Sequence, residues 1–194
     1  MTTGAPETAP GGTPALAVRD HRLVGVDFIE SPNQDPRPTG TGPRLIVVHA
    51  ISLPPREYGS DDITALFTNR LDPTAHPYFE GIHHLRVSAH LLIRRSGTLI
   101  QFVPFDRRAW HAGLSSHRGK SVCNDFSIGI EMEGSDFEPF EAAQYQSLNR
   151  CIRALIGAYP DLSFETVTGH EDIAPDRKTD PGPFFEWHRL GEGS

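Results

Sequence analysis

Between Gly42-Pro43 and Pro54-Pro55 runs Leu45-Ile46-Val47-Val48-His49-Ala50, a short β-branched stretch bounded by chain breakers, which predicts a buried strand. Ser60, Asp61 and Asp62 offer capping oxygens ahead of Ile63, Leu66 and Phe67, the spacing of a short helix. Two apolar runs, residues 88–95 and 98–103, flank Ser96-Gly97 and predict a tight hairpin with Gly97 supplying a positive φ. From Phe126 to Glu133 the alternation is strict. Phe126, Ile128, Ile130 and Met132 fall on one face, and Ser127, Gly129, Glu131 and Glu133 on the other. The clearest helix spans about residues 141–159, with Leu148, Cys151, Ile152, Leu155, Ile156 and Tyr159 in one apolar stripe. Cys151 is therefore a packing residue. A short strand near residues 166–168 leads into a polar loop, residues 169–183. Strands interspersed with helices predict an α/β fold, a mixed β-sheet flanked by helices.

Composition changes this picture at the ends. The 194 residues include 18 Gly and 17 Pro, and 13 of these fall in the first 43 positions. Residues 1–20 are expected to be a disordered extension, with residues 21–194 forming a single domain. Two cysteines make no disulfide framework, no apolar run approaches membrane-spanning length, and no basic, apolar leader opens the chain. The expectation is a cytoplasmic protein without a membrane span. The net charge of −7 argues against nucleic-acid binding, which draws on Lys and Arg neutralising phosphates. The charge is unevenly spread, however. Residues 82–124 carry +6 and the rest of the chain −13, so this segment is either a solvated basic face or an attractor for an anionic ligand. Arg94 and Arg95, beside a turn, read as solvated.

Candidate chemistry concentrates in the loop at residues 169–183, which packs His170, Glu171, Asp172, Asp176, Lys178 and Asp180 between prolines. A catalytic zinc takes three ligands from His, Asp or Glu and keeps an open position. His170 and Asp180 are candidates, with Pro181 restricting Asp180; the same loop also reads as polar surface with Asp180 as a cap. His49, closing an apolar strand, is either a satisfied core histidine or a third ligand. Glu131, two residues after Gly129, could take a proton from water held nearby, or could simply face solvent, as Glu133 beside it is expected to do. If the segment is extended, Lys178 points with Asp180, either to stabilise an oxyanion or to pair with that carboxylate.

Six segments, VVHAISLPP (47–55), DPTAHPYF (72–79), LRVSAHLLIRRSG (85–97), FVPFDRRAWHAG (102–113), CNDFSIGIEMEG (123–134) and TGHEDIAPDRKTDPGP (168–183), together resemble the zinc-dependent N-acetylmuramoyl-L-alanine amidases, over about residues 24–188. The likeness is to their cytoplasmic branch acting on 1,6-anhydro-muropeptides. The resemblance implies a fold similar to that of peptidoglycan recognition proteins and one Zn2+ per chain held by His49, His170 and Asp180. It implies Glu131 as general base, with Lys178 assisting at the oxyanion. It also implies a small muropeptide substrate, contacted by Arg86, His90, Trp110 and His111, and a monomeric enzyme. Ala50 and Val122 depart from the family pattern, standing where an Asn and an Arg are usual. Lys120 or Arg118 is the expected replacement for that arginine's charge. A non-catalytic muropeptide-binding module on the same fold is the alternative.

Overall fold

The computed structural model describes residues 15–191. Its frame is a six-stranded sheet built from β1 (Asp27–Phe28), β2 (Leu45–Ile51), β3 (Leu91–Ile93), β4 (Leu99–Gln101), β5 (Ser127–Glu133) and β6 (Val167–Gly169). The strand order is β6-β2-β5-β3-β4-β1. All neighbours are parallel except the β3–β4 hairpin. The helices are α1 (Asp62–Phe67), α2 (Pro77–Glu80), α3 (Ala142–Ala158) and α4 (His170–Ile173).

The strict alternation in β5 decides which side holds the core. Ile128, Ile130 and Met132, with Ile46 and Val48 of β2, pack against Tyr145, Leu148, Cys151, Ile152 and Leu155 of α3. Glu141 caps α3: its backbone N–H donates to Gln144 Oε1 at 3.0 Å, the reciprocal arrangement of a capping box. Leu45 and Val47 point the other way, toward Ala112, Cys123 and Ile173. Phe126 joins that second cluster and not the Ile128 face, because it precedes the strand at φ −130° and ψ 8°, outside the pleat that fixes alternation. On the hairpin side, Ile63, Leu66 and Phe67 of α1 pack with Leu92, Ile100 and Phe102.

The hairpin closes through Arg94 N–H to Thr98 O at 2.9 Å, and Gly97 takes φ +83°. A Cβ there would meet Ala143 O at 2.7 Å, so the turn is packed directly on the start of α3. Three differences from expectation stand out. Most of the proposed N-terminal extension, residues 1–14, lies outside the described residues, but Val18-Arg19 pair with Arg22-Leu23 and Leu16 and Val18 pack on the core, so the fold begins before residue 21. The polar loop after β6 opens with a helical turn, α4. Glu133 is 2% exposed and does not face solvent: it accepts from Gly59 N–H at 2.7 Å and Arg95 N–H at 3.0 Å and pairs with Arg94.

Candidate metal centre and cleft

In β2, residues 45, 47 and 49 face away from α3, and in β5 residues 127, 129 and 131 do the same. The parallel register sets Glu131 directly beside His49. A strand of β-branched residues thus delivers one imidazole to its carboxyl end, and the alternating strand delivers a carboxylate next to it. The other two groups come from beyond β6. His170 opens α4, whose start is fixed by Asp172 accepting from Gly169 N–H and the Thr168 hydroxyl, each at 2.8 Å. The backbone N–H of Glu171 donates to Asp180 O at 2.9 Å, which folds the 10-residue excursion back on itself.

The result is a tight cluster. His49 Nδ1 lies 2.9 Å from His170 Nδ1 and 3.2 Å from Asp180 Oδ2, and His170 Nδ1 lies 3.1 Å from the same oxygen. Tetrahedral bonds of about 2.0–2.1 Å, typical of zinc to nitrogen and carboxylate oxygen, place neighbouring ligand atoms roughly 3.3–3.4 Å apart. The triangle therefore matches the donor set and spacing of a metal site with one side open to the cleft. Burial lowers the His49 pKa to about 4, so its imidazole is neutral and able to ligate. Burial alone would raise the Asp180 carboxyl, but its hydrogen bonds to His170 and His49 hold it well below the carboxylate range.

Glu131 is 9% exposed, and its Oε2 atom is buried without a hydrogen-bond partner. Burial, followed by the charge of Asp180, raises its pKa well above the usual value, with Lys178 opposing. Lys178, Asp180, Glu131 and His49 all line one cavity of about 450 Å³. Its far wall is apolar, with Leu66, Phe67, Ile82, Leu85 and Val87, while Tyr78 and Phe137 stand exposed at its edge.

Among the sequence-stated contacts, Trp110 lines this cavity, its Nε1–H donating to Asp35 Oδ1 at 3.1 Å. His111 also lines it, packed over Gly129, where an added Cβ would meet its Cγ at 2.4 Å. His90 does not reach the cleft. It is fully buried, accepts from Gly129 N–H at 3.0 Å through Nδ1 and donates to Arg107 O at 3.0 Å through Nε2, so it braces two strands. Arg86 is exposed and folds back onto His84 O at 3.0 Å, outside the cavity lining between Leu85 and Val87.

The basic segment is likewise spent on scaffold: Arg94 pairs with Asp61 and Glu133, Arg95 with Glu141, and Arg108 with Asp35 and Asp125. Lys178 and Arg56 are the basic side chains at the cleft among the described residues. Lys120 sits in a separate groove with Arg44, away from the cleft, and Arg118 and Val122 do not line the cleft either.

Two residues of structural weight were given no role by the sequence reading. Arg37, buried, donates to Phe105 O, Asn124 O, Asp125 O and Ser127 O at 2.8–3.2 Å, pinning the entry to β5. Asn124 Oδ1 accepts from His111 N–H at 3.2 Å and Ala112 N–H at 2.8 Å. Both act on backbone carbonyls and amides from distant positions, which no local spacing encodes.

Known proteins resemble this chain in sequence and fold. The chain is 59% identical over 168 residues, 87% of its length and 91% of the relative's, to the 1,6-anhydro-N-acetylmuramyl-L-alanine amidase AmpD of Escherichia coli K12. It superposes on a crystal structure of a selenomethionine AmpD derivative with TM-score 0.87 and 55% identity, covering 89% of this chain and 96% of that one. It also matches AmpDh3 of Pseudomonas aeruginosa in complex with an anhydromuramic pentapeptide, with TM-score 0.60 and 28% identity over 84% of this chain and 64% of that one. The N-acetylmuramoyl-L-alanine amidase family model matches residues 39–183, which contain the whole cluster. With that span and those relatives, the chain belongs to the N-acetylmuramoyl-L-alanine amidase family.

Proposed function

We propose that this chain is a zinc-dependent 1,6-anhydro-N-acetylmuramyl-L-alanine amidase of peptidoglycan recycling, which hydrolyses the amide between the lactyl group of anhydro-N-acetylmuramic acid and L-alanine of the stem peptide. Its family membership and its identity to AmpD support the activity. The carrying observation is the unpartnered Glu131 carboxylate, set beside His49 in the same cleft as Lys178. His49, His170 and Asp180 would hold one zinc. When bound, zinc supplies Lewis acidity, making water a stronger acid and the scissile carbonyl a better electrophile.

The remaining work falls to the chain. Glu131, with a raised pKa and no competing donor, takes a proton from the attacking water and returns it to the alanine nitrogen as the C–N bond breaks. Lys178, in the same cleft, would stabilise the negative charge that develops on the scissile carbonyl oxygen. Trp110 and the apolar wall exclude water and give the sugar and peptide a surface to pack on. The products are the anhydro sugar acid and the free stem peptide. The same proposal has the chain acting in the cytoplasm as a monomer; no described helix is long and apolar enough to cross a membrane.

Chelator-stripped protein should lose cleavage of an anhydro-muramyl peptide and regain it with one equivalent of zinc. His49→Ala, His170→Ala and Asp180→Ala should each abolish that recovery. Unchanged recovery in all three would overturn the ligand assignment.

A further inference from the structure

We propose that His111 is a positioning residue for the metal cluster: its Nδ1 accepts the Nε2–H of His49 and so selects the His49 tautomer whose Nδ1 lone pair faces His170 and Asp180. This rests on the zinc reading above. The two nitrogens of His49 have opposite surroundings, since Nδ1 lies in the cluster whereas Nε2 lies 2.8 Å from His111 Nδ1. A neutral imidazole carries one proton, and a ligating nitrogen must offer its lone pair. The proton of a ligating His49 therefore sits on Nε2, and the atom facing it is His111 Nδ1, which must accept. The proton of His111 is then on its own Nε2, 3.1 Å from Ser127 Oγ, a hydroxyl able to accept it.

Three features make this a built device. Gly129 leaves the space the ring occupies, since a Cβ there would stand 2.4 Å from His111 Cγ and 2.6 Å from its Nδ1. Asn124 Oδ1 clamps the two successive amides of His111 and Ala112. Ala112 O in turn accepts the Nε2–H of His170 at 3.3 Å. Consecutive residues of one segment thus orient both ligand imidazoles, the first through its side chain and the second through its carbonyl. A partner on the outer nitrogen of a ligating histidine is commonly a carboxylate or a carbonyl. Here, for His49, a second neutral imidazole serves.

Zinc affinity, measured by competition with a chromophoric chelator, tests this directly. His111→Leu fills the volume without an acceptor and should weaken zinc binding by about 10–100-fold. His111→Asn sets an amide oxygen where Nδ1 stood and should bind zinc close to wild type. Gly129→Ala keeps every donor atom but displaces the ring, and should weaken binding as His111→Leu does. Should the leucine variant fail to fold, imidazole nitrogen spectra of the zinc-loaded wild type should place protons on His49 Nε2 and His111 Nε2. A leucine variant binding zinc like wild type, an asparagine variant as weak as leucine with native thermal melts, or a proton on His111 Nδ1 would each overturn the proposal. Wild-type protein that binds no zinc would instead overturn the reading on which it rests.

Discussion

A carboxylate withdrawn from water without a hydrogen-bond donor is held at a cost, and Glu131 bears that cost at the mouth of the cluster. Removing its charge should leave the metal in place and disable proton transfer: Glu131→Gln is expected to bind zinc normally and to lose about 10²–10⁴ in kcat, read by product formation under saturating substrate. Activity near wild type would remove Glu131 from the mechanism. His90 carries a different kind of information. Burial, and then the Arg37 charge, lower its pKa from 6.5 to about 3, so the fold contains neutral imidazole while the unfolded chain takes up a proton at mildly acid pH. Its stabilisation is complete above pH 6.5 and is lost as pH falls toward 3, at roughly 1.4 kcal/mol per pH unit. Urea unfolding of chelator-treated protein between pH 7 and 5 should show that extra slope relative to His90→Asn, which keeps an acceptor for Gly129 N–H; equal slopes would show His90 is not the group responsible. At this scale the sequence identifies residue types well, and His49, Glu131, His170, Lys178 and Asp180 all line the cleft. Depth is harder to read. Alternation placed Glu133 on the correct face, but its carboxylate is bound by Gly59 of the loop after β2 and by Arg94 and Arg95 of the hairpin, contacts that alternation does not encode.

That loop is held through β5. Glu133 accepts from Gly59 N–H and Arg95 N–H and pairs with Arg94, whose guanidinium also reaches Ser60 O and Asp61. One strand therefore carries the proposed base Glu131 and, two residues on, the anchor for a loop whose Ser52, Leu53 and Arg56 line the cavity. Glu133→Ala leaves two amides and part of a guanidinium without an acceptor, and should cost about 3 kcal/mol in urea unfolding. KM should rise more than kcat falls, because the cleft wall loosens while Glu131 stays in register. A variant with native stability would show the loop is held elsewhere. The long elements were legible because α3 and β5 repeat an apolar pattern over many residues. Pairs such as Val18-Arg19 with Arg22-Leu23 are too short for any period, and α4 begins inside a polar stretch because Asp172 and the Asp180 carbonyl hold its first turn.

Across the whole molecule, the basic strip of residues 82–124 reads from sequence as either a solvated face, as for Arg94 and Arg95, or an attractor for an anionic ligand. Folding distributes it instead, with Arg94, Arg95 and Arg108 bound to carboxylates from other segments, so the cleft's positive charge comes from Lys178 and Arg56. Which charges meet is settled by long-range packing, and a local sum does not contain it. The chemistry at the cleft survives this redistribution because His49 and Glu131 arrive on adjacent strands, His170 on one short helix, and Lys178 and Asp180 on the loop that the Glu171 N–H to Asp180 O bond folds back beside them.

The most direct measurement is cleavage of an anhydro-muramyl peptide by the zinc-loaded protein in ¹⁸O-water, with products weighed by mass spectrometry. Attack at the lactyl carbonyl yields unlabelled stem peptide and an anhydro-N-acetylmuramic acid carrying one ¹⁸O in its new carboxylate. Label in the alanine carboxyl of an anhydro-muramyl-alanine product, or intact substrate after prolonged incubation, would contradict the assignment.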